Sequence, residues 1–195
     1  ASAPHTSDGQ FIYPGICRNL TEDERRSKMQ SHKHSWRIKV PDETVTFNDG
    51  HYGRQSLNLA REWGDFIVRR SDGIYAYQLA VVIDDALMGV TEVIRGRDLL
   101  SSSAPQLYLY RLLGFKPPQF RHLPLLTAPD GRRLAKRDMD LDMGALRSRY
   151  TPEEVIGRLA FLAGLIDKEE PVKAAELLPS FDWQKIPKEN ITVTN

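Results

Sequence analysis

Cysteine is almost absent from this sequence, and so are long apolar runs and internal repeats. A single cysteine among 195 residues excludes an internal disulfide and favours a reducing compartment. No apolar run approaches the roughly 20 residues that a membrane-spanning helix requires, so we expect no membrane partner. These absences favour a cytoplasmic globular protein.

Net charge is also nearly absent, because 27 basic side chains almost balance 26 acidic ones. A net charge of +1 gives a weak long-range field, so any RNA binding must depend on local basic patches. The stretch from Arg18 to Lys39 is one candidate, since seven of its residues are basic and three are acidic. Composition alone leaves two alternatives equally open, an RNA-binding patch and a solvated helix face.

Two short apolar runs organise the middle of the chain. Asp65–Val68 and Val90–Ile94 are rich in β-branched or aromatic residues, which predicts buried strands, and Tyr77–Met88 between them is long enough for a helix. A strand–helix–strand order is typical of a parallel sheet with covered faces. The second run leads directly into Arg95-Gly96-Arg97-Asp98, and ligands bind at the carboxyl ends of strands in such sheets.

Capping and turn signals predict the remaining elements. Capping boxes at Thr21-x-x-Glu24 and Thr151-x-x-Glu154 each predict the start of a helix. Ser103 followed by Pro105 predicts a third helix start, and Gly114 its end. Three further stretches are predicted as strands: Trp36–Val40, Thr44–Phe47 and Phe120–Leu126.

The stretch IYAYQLAVVIDDALMGVTEVIRGRDLL closely resembles the catalytic core of the glutamate-specific class I aminoacyl-tRNA synthetases. Within that group, AYQLAVVIDD is most similar to the glutamyl-queuosine tRNA(Asp) synthetases, which attach glutamate to a modified anticodon base. The similarity extends from about Gln10 to about Val193. It implies a Rossmann-like α/β core, the substrates L-glutamate and ATP with Mg²⁺, and the anticodon stem-loop of tRNA(Asp) as partner.

The resemblance implies a glutamate site at two residues. Tyr77 matches the tyrosine beside the bound amino acid, and Arg95 is the best candidate for a glutamate carboxylate, because its planar fork suits bidentate recognition. Without the resemblance, core packing for Tyr77 and an ordinary ion pair for Arg95 would be sufficient interpretations.

A basic loop after the turn Pro129-Asp130-Gly131 is a second candidate site. Composition alone favours a solvated loop, but the residues match the family's ATP-binding Lys-Met-Ser-Lys-Ser-type signature. The matched residues are Arg133, Leu134, Ala135, Lys136 and Arg137. Arg133 replaces the first lysine and Ala135 the serine, whereas Lys136 is retained. We therefore assign Lys136 the catalytic role of following the charge on the leaving phosphates.

The resemblance also implies half of a zinc site. Tyr13 and Cys17 match the family's Tyr-x3-Cys pair, whose partner is an upstream pair of cysteines that this sequence does not contain. Structural zinc needs four ligands, so we do not expect two to hold the metal well. The alternative is a buried thiol beside a packed tyrosine.

We predict three regions. Residues 1–63 form an insertion-like subdomain that in the family approaches the tRNA, residues 64–150 the second half of the Rossmann-like domain, and residues 151–195 a C-terminal helical stem-contact region. The family's His-Ile-Gly-His motif has no counterpart here, so we expect the C-terminal part of a longer enzyme, inactive by itself. The stretch after Arg137 is too short for the anticodon-binding region of discriminating glutamyl-tRNA synthetases. Two alternatives stay open: part of such a synthetase charging tRNA(Glu), and a non-catalytic RNA-binding module.

Overall fold

The computed structural model describes residues 12–132, 134 and 143–193, which fall into two compact units. Unit 1 comprises Ala1–Ile94 and Asp98–Arg121, and unit 2 comprises Arg95–Arg97 and His122–Asn195. The helices are α1 (Glu22–Ser31), α2 (Tyr77–Leu87), α3 (Ser103–Leu113), α4 (Met143–Arg149), α5 (Pro152–Leu162) and α6 (Ala174–Leu177). The strands are β1 (Trp36–Ile38), β2 (Thr44–Asp49), β3 (Gly53–Asn58), β4 (Phe66–Arg69), β5 (Glu92–Gly96), β6 (Gln119–Leu123), β7 (Leu126–Thr127) and β8 (Ile191–Thr192). No helix in the described ranges has the length and apolarity that a bilayer crossing demands.

Unit 1 contains two antiparallel strand pairs. β2 and β3 form a hairpin in which Thr44 lies opposite Asn58 and Asp49 opposite Gly53. β1 pairs with β4, and Asp65 anchors the start of β4. The buried Asp65 carboxylate accepts hydrogen bonds from Arg18 and from the backbone N–H of Val40 (2.9 Å). This carboxylate therefore ties the segment before α1 to the sheet.

The core of unit 1 lies between the strands and the two helices α2 and α3. Its fully buried apolar residues include Leu59, Val82 and Leu109. A polar link joins the helices: Gln106 donates to the amide oxygen of Gln78 (2.7 Å), and Gln78 donates to the hydroxyl of Ser102 (3.2 Å). Ser102 and Gln106 are buried and Gln78 is half-buried, so this link supplies hydrogen-bond partners to polar groups that packing removes from water.

Unit 2 is built on β7, β8 and α5. β7 and β8 are parallel, and Ile191 N–H donates to the carbonyl of Leu125 (2.9 Å). α5 begins at a complete capping box and buries Gly157 and Ala160. A Cβ on Gly157 would lie 1.9 Å from the backbone oxygen of Glu170, so the segment around Glu170 can cross α5 closely only because this residue is glycine.

The capping predictions have mixed outcomes. Thr21 and Thr151 are the N-cap residues of α1 and α5, and both capping boxes are complete, so these two predictions are confirmed. The predicted cap at Ser103 is wrong, since the N-cap of α3 is Ser102 and no side chain caps it. Ser102 instead accepts the hydrogen bond from Gln78. The end of α3 at Gly114 is confirmed, with φ of 70°.

The central strand–helix–strand order is present, but its strands pair differently from the prediction. β4 pairs with β1 and β5 with β6 in the described ranges, so β4 and β5 are not neighbours there. The prediction of a strand over Val90–Ile94 buried on both faces is also wrong. The strand covers Glu92–Gly96, and Ile94 is 52% exposed. The mixed α/β class nevertheless holds, because helices and strands alternate along the chain.

Candidate functional site

Arg95 lies near the carboxyl end of β5, where a buried partner holds its side chain. The guanidinium Nε donates to Nε2 of His122 over 2.9 Å, and His122 on β6 has no exposed surface. Both residues belong to unit 2. Arg95 itself is half-buried. Its Nε is held by the hydrogen bond to His122, and part of the side chain remains accessible to solvent.

The Arg95–His122 contact has fixed donor and acceptor roles. A guanidinium has only donors, so Nε2 of His122 must accept with its lone pair. An acceptor nitrogen carries no negative charge, so this contact orients the guanidinium without neutralising it.

Tyr77 is the first residue of α2, and 53% of its surface is exposed. It belongs to unit 1, unlike Arg95. The core-packing interpretation of Tyr77 is therefore wrong, because its phenol is largely accessible to solvent. An exposed hydroxyl at a helix start can donate to or accept from a ligand.

The basic loop is described only in part, because Arg133, Ala135, Lys136 and Arg137 lie outside the described residues. The turn before it is confirmed: Gly131 N–H donates to the carbonyl of Ala128 (2.8 Å), and Arg132 N–H to the carboxylate of Asp130 (2.9 Å). Leu134 N–H then donates to Leu126 of β7 over 3.2 Å.

A cavity of about 960 Å³ lies in unit 2 beside this loop. Its lining includes Arg132, Leu134, Arg149, Tyr150 and Arg158. Three glutamates, Glu154, Glu169 and Glu170, also line it, so the formal charges of its walls balance and the cavity does not by itself indicate an anionic ligand.

Tyr13 and Cys17 lie close together at the start of the described chain. The backbone N–H of Cys17 donates to the Tyr13 hydroxyl over 2.7 Å, and the Arg37 guanidinium lies 4.1 Å from the ring centroid. Burial raises the pKa of the Tyr13 hydroxyl, and the Cys17 side chain adds to the rise. The Cys17 thiol is exposed, so the alternative of a buried thiol is wrong.

These two residues do not by themselves fit a zinc ion. Structural zinc takes four ligands. Within the described ranges no cluster of three or more histidine, cysteine, aspartate or glutamate residues could hold a metal ion.

The sequence interpretation missed the partner of Arg95. Nothing in the sequence marks His122 as that partner, because a lone histidine in a predicted strand is more often structural than functional. The position of His122 indicates a role only once β5 and β6 are known to pair, because that pairing brings its side chain to Arg95.

Comparison with known proteins gives a consistent result. The family model for the catalytic domain of class I tRNA synthetases (E and Q) matches residues 5–194. A protein named glutamyl-Q tRNA(Asp) synthetase from Symbiobacterium thermophilum is 51% identical over 99% of this chain and 60% of its own length. A protein of that name from Nitratidesulfovibrio vulgaris is 49% identical over 85% of this chain and 52% of its own length.

Solved structures agree with this result. A glutamate tRNA ligase from Elizabethkingia meningosepticum, crystallised in complex with its amino acid, superposes with a TM-score of 0.76 at 29% identity. The match covers 95% of this chain and 43% of that one. This chain spans about 60% of the length of the first of the curated relatives. The chain belongs to the class I tRNA synthetase family (E and Q), within its catalytic domain.

Proposed function

We propose that the protein activates glutamate with ATP and transfers it to the queuosine base of tRNA(Asp). The observation that carries this proposal is the 51% identity, over 99% of the chain, to a protein named glutamyl-Q tRNA(Asp) synthetase. Arg95 supports it, because a half-buried guanidinium oriented by the buried Nε2 of His122 suits a carboxylate.

In the proposed first step, an oxygen of the glutamate α-carboxylate bonds to the α-phosphorus of ATP. The bond between that phosphorus and the bridging oxygen breaks, and pyrophosphate leaves with the electron pair. Arg95 binds one glutamate carboxylate, and the hydroxyl of Tyr77 contacts the amino acid. Because side chains do no covalent work here, the rate depends on positioning and charge stabilisation.

The basic loop completes the proposed ATP site. Arg133, Leu134, Ala135, Lys136 and Arg137 bind ATP, and Lys136 stabilises the charge that develops on pyrophosphate. Mg²⁺ bound with ATP supplies further charge neutralisation. In the second step, a nucleophile on the queuosine base attacks the activated carbonyl carbon, and AMP leaves.

A second candidate is the charging of tRNA(Glu). It is favoured by the solved structures, whose names describe glutamate tRNA ligases. The two candidates share the activation step and differ only in the acceptor. The acceptor must therefore be tested separately from activation.

The test uses the protein made from its complete gene. Glutamate-dependent exchange of pyrophosphate into ATP measures the first step. Labelled glutamate is then offered with tRNA(Asp) containing queuosine, the same tRNA lacking it, and tRNA(Glu). Labelling only of the queuosine-containing tRNA supports the proposal, whereas labelling of tRNA(Glu) supports the second candidate. Tight tRNA binding without any exchange would indicate a non-catalytic RNA-binding module.

A further inference from the structure

A row of exposed side chains crosses three neighbouring segments of unit 1. Trp36 of β1 lies opposite Arg69 of β4, and Arg69 also forms an antiparallel bridge with Tyr75. Residues directly opposite in such ladders share one face of the sheet. The guanidinium of Arg69 lies 5.8 Å from the ring centroid of Tyr75, as a shared face requires. We call these three residues the aromatic row.

The two aromatic members of the row are unusually accessible. Trp36 is 47% exposed and Tyr75 is 62% exposed. Neighbouring strands lie about 4.8 Å apart, so two strand spacings place Trp36 and Tyr75 about 10 Å apart, with the cation between them. His34 contacts Trp36 edge to face, with ring centroids 6.0 Å apart.

A basic groove adjoins the aromatic row. It has a volume of about 470 Å³, and its lining includes His32, Lys33, His34, Trp36, Arg69 and Arg70. The nearby Asp72 forms an ion pair with Arg70 (2.8 Å), which offsets part of the charge. Arg69 donates from Nε to the carbonyl of Gly73 (3.2 Å), and no carboxylate of the described chain pairs with it. Lys33 and Arg69 therefore supply most of the uncompensated positive charge.

We propose that the aromatic row and its groove bind the single-stranded loop of an RNA. Two adjacent bases stack on Trp36 and Tyr75, and the phosphate between them contacts Arg69. Lys33 contacts a further phosphate. This inference deepens the proposed function, on which it rests for the choice of RNA, because it gives the RNA acceptor a binding surface.

The chemistry of the row favours a single-stranded RNA loop over other anionic partners. Bases of a single strand are unstacked and can lie on aromatic side chains, whereas bases in a duplex already stack on one another. An acidic peptide or an anionic lipid surface could pair with Lys33 and Arg69. Neither partner would require an aromatic ring on each side of Arg69. The alternation of ring, cation and ring matches the alternation of base, phosphate and base.

The experiment measures binding of a labelled RNA hairpin, of the size of an anticodon stem-loop, to the protein made from its complete gene. Stacking contributes about 1–3 kcal/mol per base, so Trp36→Ala should weaken binding roughly fivefold to over a hundredfold. Trp36→Phe should restore much of the affinity. Lys33→Ala and Arg69→Ala should each reduce the dependence of log affinity on log salt by about 0.7, the effect of one single-strand phosphate contact, whereas Trp36→Ala should leave that slope unchanged.

Arg61→Ala is the matched control, because Arg61 is an exposed cation of the same unit that forms an ion pair with Asp42 (2.9 Å). It should bind the hairpin as the unchanged protein does. Equal affinity of Trp36→Ala and the unchanged protein would overturn the inference, as would an equal loss in Arg61→Ala or a preference for blunt duplex RNA or anionic vesicles. Melting curves establish that each variant is folded. Glutamate-dependent exchange, measured in parallel, reports on the proposed function independently of RNA binding.

Discussion

Arg95 presents a guanidinium whose Nε donates to the buried Nε2 of His122. We predict that Arg95→Ala impairs glutamate use far more than ATP use. Loss of a charge-assisted contact costs roughly 1.5–3 kcal/mol, which corresponds to about tenfold to over a hundredfold in the KM for glutamate. Calorimetry of glutamate binding and exchange kinetics on the protein made from its complete gene would measure the change.

Arg97→Ala is the control for this prediction, because Arg97 follows the same strand and donates to the backbone oxygen of Lys188 (3.0 Å). It should leave the KM for glutamate close to its original value. Unchanged glutamate affinity in Arg95→Ala would contradict the role proposed for Arg95.

In the proposed glutamate site, His122 contacts Arg95 and has no assigned contact with glutamate, so we propose it as a positioning residue. We predict that His122→Leu, which removes the acceptor at similar volume, raises the KM for glutamate about tenfold and leaves the KM for ATP unchanged. His122→Gln should retain most of the affinity, because its amide oxygen can accept from Arg95.

The two His122 variants separate positioning from stability. A merely structural role would make both variants lose activity in proportion to their loss of stability. If Arg95→Ala impairs glutamate use and His122→Leu does not, the positioning role is wrong while the role of Arg95 stands.

At the scale of the element, α5 depends on its capping box. Thr151 accepts from the backbone N–H of Glu154 (3.3 Å), and the Glu154 carboxylate accepts from the backbone N–H of Thr151 (2.7 Å). We predict that Thr151→Ala lowers the free energy of unfolding by about 1 kcal/mol. Thr21→Ala, in the matching box of α1, should shift the global transition less, because α1 buries no residue. Denaturant unfolding would compare the two variants.

The same box gives stability a pH dependence. The backbone hydrogen bond from Thr151, followed by its hydroxyl, lowers the pKa of Glu154 from its ordinary value of 4.5. A carboxyl with a lowered pKa contributes stability that is present above the ordinary value and is lost as the pH falls through the folded value. Glu154→Gln should therefore reduce the loss of stability below pH 4.5, and an identical acid profile for this variant would contradict the prediction.

Gly157 reverses the usual effect of an alanine in a helix. Gly to Ala normally stabilises a helix interior by about 0.5–1 kcal/mol. Here the new Cβ would lie 1.9 Å from the backbone oxygen of Glu170, and no rotamer can relieve a clash with backbone. We predict a lower melting temperature for Gly157→Ala. A higher melting temperature would show that the segment around Glu170 moves at little cost.

Sequence predicted the elements whose signals are local. The boxes at Thr21 and Thr151 are each complete within four residues, so tertiary packing did not need to be known. The predicted cap at Ser103 is wrong because α3 begins at Ser103 and its N-cap is Ser102, whose hydroxyl accepts a hydrogen bond from Gln78, a residue distant in sequence. The predicted burial of Val90–Ile94 is wrong because β-branched residues are favoured in strands whether the sheet face is covered or exposed. His122 escaped prediction because its role depends on which strand lies beside β5.

At the scale of the whole molecule, the weak net charge makes local surfaces decisive. A formal charge of +1 gives only a weak long-range field, so the RNA binding that we propose depends on a local basic surface, the groove in which Lys33 and Arg69 lie. The family model matches residues 5–194, which is nearly the whole chain. The residues proposed for glutamate and ATP binding, in contrast, lie in a few short segments. The proposed activity therefore requires that several separate segments be present together.

Our last prediction follows from that requirement. The sequence contains no counterpart of the His-Ile-Gly-His motif with which the resembled family holds ATP, and it spans about 60% of the length of the Symbiobacterium thermophilum relative. Positioning supplies much of the rate in such a reaction. We therefore predict that the 195-residue chain by itself shows no glutamate-dependent exchange of pyrophosphate into ATP. The assay would compare this chain, with its mass confirmed, and the Symbiobacterium thermophilum relative under identical conditions. Robust exchange by the chain alone would mean that its own residues form a complete ATP site, and that the assignment of ATP binding to the loop around Lys136 is insufficient.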